Sequence, residues 1–99
     1  MSYQIRFSKS AREDLLRLYG FLVEQDIAAA RKALDAIRKG VEFLRDIPFT
    51  CRKATSEDPL LRELIISFGA RGYVALFEIE NNKTITILAV RHQREEDFH

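Results

Sequence analysis

Apolar residues recur with a helical period along the first half of the chain and with a strand period along the second. Tyr3 to Phe7 alternates and predicts a short strand. Ala11, Leu15, Leu18 and Leu22 are then spaced four, three, four, one stripe of an amphipathic helix running to about Gln25. Ser8 or Ser10 is placed to cap that helix, and Ser10-Ala-Arg-Glu13 has capping-box spacing. Ile27, Ala30, Leu34, Ile37, Val41 and Leu44 repeat at three, four, three, four, three behind Asp26, the cap of a second helix. Two matched stripes joined near Gln25-Asp26 predict an antiparallel helical hairpin, which Pro48 ends.

From Pro48 to Pro59 the chain is polar and rich in turn formers, a surface loop. Three strands follow: Arg62 to Phe68, then Tyr73 to Glu80 after "GARG", then Thr84 to Arg91 after Asn81-Asn82. The expected fold is α+β, in the order β-α-α-β-β-β: a curved antiparallel sheet with the N-terminal helical hairpin on one face. Strict alternation puts Tyr73, Ala75, Phe77 and Ile79 on one face of their strand, with Val74 and Leu76 on the other. In the last strand it sets Ile85, Ile87 and Ala89 against Leu88 and Val90, and separates Arg91 and Gln93 from His92 and Arg94. Both strands are thus apolar on both faces, whereas a sheet covered on one side should alternate cleanly. Either the chain's own loop and tail close the second face, or another chain does.

Length and composition narrow the class. Ninety-nine residues, 46% hydrophobic and 31% charged, suit a single globular domain spanning residues 1–99. A chain of this size buries roughly two-thirds of its unfolded surface. The one cysteine, Cys51, excludes an internal disulfide or a paired-cysteine metal knuckle and suits a reducing cytoplasm. No apolar run approaches the ~20 residues of a membrane span. Sixteen basic against fifteen acidic residues give a net charge of +1, which argues against a strong nucleic-acid binder held by phosphate contacts.

The candidate chemistry sits at the end of the chain, in "ILAVRHQREEDFH", with Arg62 and Arg71 as further cations. Two histidines and one cysteine at these spacings make no metal set, and no cofactor motif is present. Cleaving a phosphodiester needs a base, an acid and cations for the charge that develops. His92 fits one proton role, and Arg62 and Arg91 fit the cationic role. A second proton-transfer group is missing, and Glu95, Glu96 and Asp97 would repel phosphates. The plain alternative is a solvated strand end.

In order and spacing the chain resembles the RelE/ParE superfamily of type II toxin–antitoxin toxins. The resemblance rests on "FSKSAREDL", "LREL", "GYVALFEIENN" and "ITILAVRHQREEDF", and it covers essentially the whole chain. The sequence Val90-Arg91-His92-Gln93-Arg94 is closer to the ParE branch, whose members poison DNA gyrase. The RelE branch cuts mRNA on the ribosome with several sheet cations and commonly a tyrosine near the C-terminus, where Phe98 stands here. The resemblance therefore implies a cytoplasmic plasmid-stabilisation toxin that grips gyrase through Arg91, His92, Arg94, Arg62 and Arg71. It also implies neutralisation by a cognate antitoxin, ParD-like or other, over Leu16, Tyr19, Val74, Leu76 and Leu88. An mRNA endonuclease using His92, Arg62 and Arg91, or a non-catalytic antitoxin-binding relative, remain the alternatives.

Overall fold

A computed structural model describes residues 2–69 and 71–93. Five strands form one sheet in the order β1-β5-β4-β3-β2, where β1 is Gln4–Phe7, β2 Arg52–Lys53, β3 Leu61–Phe68, β4 Arg71–Ile79 and β5 Thr84–His92. The helices α1 (Lys9–Gln25) and α2 (Ile27–Phe43) pack on one face. The expected order is borne out, with two additions. The strand β1 runs parallel to β5, so the sheet is mixed rather than wholly antiparallel. The loop after Pro48 carries the short edge strand β2, whose Arg52 and Lys53 pair with Glu63 and Arg62.

Local chemistry explains the hairpin. One residue, Asp26, separates the helices. Its N–H donates to the Leu22 carbonyl at 2.8 Å, closing α1, while its carboxylate accepts the Ala28 N–H at 2.9 Å, opening α2. The cap of α1 is Ser8, whose hydroxyl accepts the Ala11 N–H at 3.0 Å. Ser10 lies inside the helix, so its capping-box spacing goes unused.

The predicted stripes form the core. Ala11, Leu18, Ile37, Val41 and Leu44 are buried against Tyr73, Ala75, Phe77 and Ile79 of β4 and Ile85, Ile87 and Val90 of β5, and Ala30 is buried as well. Ile27 departs from its stripe and is 57% exposed, because it is the first residue of α2 and sits at the hairpin's turn.

The β5 alternation is corrected by a bulge. Phe77 pairs with Ile87 but Leu76 pairs with Ala89, so Leu88 is one residue too many for its partner strand. Beyond it the phase inverts. Val90, not Ala89, joins Ile85 and Ile87 under the helices, and it is fully buried. His92 pairs with Tyr73 on the helix side, and Arg91 pairs with Val74 on the open side, the reverse of the faces that strict alternation assigns. Arg94 lies outside the described residues.

The β3–β4 hairpin closes through Gly69 at φ 63°, the positive φ that tight hairpin turns favour. At Gly72 the constraint is space: an added Cβ would stand 2.0 Å from the Ile66 carbonyl oxygen. Gly20, within α1, has nothing within 4 Å of that position. Gly72→Ala should therefore lower the stability by about 1–3 kcal/mol through overpacking. Gly20→Ala should raise it by about 1 kcal/mol through helix propensity. Opposite shifts of the urea midpoint check both.

Candidate functional site

The candidate cluster is carried by β5, whose two edges are held differently. On one side β4 accompanies it throughout. On the other, β1 pairs only with Thr84 to Ile87. From there α1 takes over the bonding. The Ser8 N–H donates to the Ile87 carbonyl at 2.9 Å, and the Ser8 hydroxyl donates to the Leu88 carbonyl at 3.2 Å. The Val90 N–H donates to the Asp14 carboxylate at 2.9 Å. The capping residue of α1 and one carboxylate of that helix thus replace a strand, and β5 runs on to His92.

Arg91 is exposed on the open face. His92 is half-buried on the other face, its ring meeting Tyr73 edge-on at 5.5 Å and 88°. Tyr73 in turn stacks on Phe68 at 6.1 Å. Burial pushes the Tyr73 phenol above its ordinary pKa, so it is neutral at physiological pH. Arg71 opens β4 opposite Phe68.

Arg62 is occupied elsewhere. Its guanidinium donates to the carbonyls of Pro59 at 2.7 Å, Phe49 at 3.1 Å and Cys51 at 2.8 Å, and lies 5.3 Å from the Phe49 ring centre. It pins the Pro48–Leu60 loop to β3. The Cys51 thiol beside it has a raised pKa because it is desolvated, an effect the Arg62 charge partly offsets. Arg62 pairs with Phe77 and Arg91 with Val74, three residues apart along β4 and on opposite faces. At strand spacing that is about 10 Å along the sheet and about 10 Å across it. The structure does not bring Arg62 together with Arg91 and His92. Among the described residues, no three His, Cys, Asp or Glu side chains converge to hold a metal ion.

The five positions expected to meet an antitoxin differ in access. Leu16 is 73% exposed on the outside of α1, and Tyr19, Leu76 and Leu88 are half-buried. Val74 is closed, at 5% exposure, although it lies outside the core beneath the helices. Its cross-strand neighbours on the open face are Ile65, 42% exposed, and Arg91. Sequence reasoning missed Phe21, whose ring is 62% exposed on α1. It also missed an open groove of 270 Å³ between β1 and the helices, lined by Ile5, Phe7, Leu15, Leu34, Ile37 and Val41 with Arg38, Glu42 and Arg45. Asp14 was missed too; its only sequence signal was a carboxylate in the second turn of α1.

Residues 5–97 match the family model described as ParE toxin of type II toxin-antitoxin system, parDE. The chain belongs to this ParE toxin family. It is similar to "Toxin RelE3" of Caulobacter vibrioides, at 31% identity over 91 residues, 92% of this chain and 95% of that one. Its fold is similar to a structure titled "Chromosomal ParDE TA system from P. aeruginosa", with a TM-score of 0.74. That match has 24% identity and covers 92% of this chain and 96% of the other. The chain is thus a type II toxin–antitoxin toxin of the ParE/RelE kind, and no described helix is long and apolar enough to cross a membrane.

The three hydrogen bonds of Arg62 tie the loop to β3 in this ParE-family chain. Arg62→Ala should lower stability by about 1–2 kcal/mol, since three carbonyls lose a charged donor at a partly wet site. Arg62→Lys should recover less than half of that, because an ammonium lacks the guanidinium fork. An unchanged urea midpoint in Arg62→Ala would show that the loop holds without it.

Proposed function

We propose that this toxin arrests growth by gripping DNA gyrase through the end of β5, and that a co-encoded antitoxin holds it in check. The observation that carries this reading is the commitment of Arg62 to three main-chain carbonyls, two strands away from Arg91 and His92. Among the described residues, the tip offers the exposed Arg91 guanidinium on one face and the His92 imidazole packed on Tyr73 on the other. RNA cleavage asks for two proton-transfer groups and converging cations. A grip asks only for a rigid strand end and a fork that pairs with carboxylates, and a central arginine in a protein interface is often worth ~2 kcal/mol or more. The target places the action in the cytoplasm. Messenger-RNA cleavage on the ribosome is the second reading, supported by the likeness to Toxin RelE3.

Induction without antitoxin separates the two. The expected result is loss of DNA supercoiling with intact mRNA. Arg91→Ala should restore survival at least tenfold (about 1.4 kcal/mol or more of target binding). Discrete mRNA cuts in the ribosomal A site, lost in His92→Ala, would overturn the grip and establish the second reading.

The antitoxin reading rests on the apolar surface that α1 and the open sheet face leave uncovered, led by Leu16. A partly disordered partner segment wrapping such a surface buries it while it folds. Leu16→Asp, at a position too exposed to matter for folding, should weaken antitoxin binding tenfold or more with the thermal midpoint unchanged. Undiminished binding in a titration would remove Leu16 from that interface.

A further inference from the structure

We infer that Asp14 is a positioning residue for the β5 tip, holding Arg91 and His92 at the angle at which the tip meets its target. This rests on the proposed grip at that strand end. Where Leu88 is inserted, β5 bends and its twist increases, so the direction of everything beyond is set locally. On the β4 side the ladder resumes through Ala89 and Val90. On the other side β1 has ended, and one of the main-chain groups now facing outward is the N–H of Val90, a residue with no exposed surface.

A buried N–H without an acceptor is costly, so the strand must find one or unravel at that point. Asp14 supplies it from a helix, 76 residues earlier in the chain, at 2.9 Å. A carboxylate acceptor makes the bond stronger than a carbonyl would. Its other oxygen lies 3.8 Å from the Arg17 guanidinium, and the side chain is only 20% exposed, so the carboxylate is turned inward. Ser8 adds a second clip at the Leu88 carbonyl. Arg91 follows Val90 directly. Release of the Val90 N–H therefore frees the two tip residues while the core pairing up to Ile87 stays intact.

The test compares Asp14→Ala, Asp14→Asn and Arg91→Ala in the full-length chain, purified with its antitoxin and also induced alone. Asp14→Ala should speed amide exchange at Val90 and Arg91 at least tenfold, leave Phe77 and Ile85 unchanged, and cut toxicity at least tenfold. Asp14→Asn keeps an acceptor oxygen and should restore both readouts to within about threefold of the wild type. Three results overturn the inference: unchanged exchange at Val90, faster exchange spread across β4 and β5, or a toxic Asp14→Ala beside a non-toxic Arg91→Ala. The last leaves the grip itself standing. A fully toxic Arg91→Ala removes the grip, and the inference with it.

Discussion

From Thr84 to Ile87, β5 has a strand on either side; from Leu88 onward it has β4 alone. That half-covered edge is the constraint on which the rest of the molecule turns. A strand carrying buried Val90 cannot leave its main chain unsatisfied, and a fifth residue of β1 would be the ordinary solution. The chain instead turns at Ser8 into α1 and lets the first turns of that helix supply the missing partners. One segment thereby caps its own helix, fixes the helix to the sheet, and carries β5 past the limit of β1. The position of α1 sets that of α2 through the single residue Asp26, and both helices then cover the apolar residues of β4 and β5.

The apolar core is generic, and the polar contacts at its margins give it direction. Phe77, Ile85, Ile87 and Leu44 would be satisfied by any apolar cover of the right volume. The Ser8 and Asp14 bonds specify one register and one angle, as buried polar contacts do when every group is satisfied. On the opposite flank, Arg62 does the same for the Pro48–Leu60 loop with three carbonyls and the Phe49 ring.

Much of this was legible in the chain itself. The two stripes, Asp26 as a cap and the succession of the main elements along the chain follow from spacing, because burial of a helix or strand face imposes a period on the sequence. The phase of β5 was not legible. "ILAV" is apolar at every position, so sliding the alternation by one residue leaves the pattern intact and the bulge at Leu88 invisible. The same holds for the antitoxin candidates: composition shows that Val74 is apolar, but not that it is closed while Leu16 stands open. Arg62 was visible as a cation and misleading as one, since three main-chain carbonyls of the preceding loop consume it. Asp14 gave almost no signal, because its partner is a main-chain N–H and main-chain groups leave no trace in residue identity.

How positive charge is distributed bears on what such a tip can hold. Arg17, Arg38, Arg45 and Arg52 each face an acid, respectively Asp14, Asp35, Glu42 and Glu63. These pairs add little stability in water, but each cancels the local field of its arginine. Arg62 is bound to carbonyls. The guanidinium of Arg91 forms no ion pair among the described residues. A polyanion is held by many such cations in a row, each displacing a counterion, and its affinity grows with their number. A single fork such as that of Arg91 supplies one such cation. It offers direction instead, which matters where the partner is a folded protein with a carboxylate at one place and in one orientation.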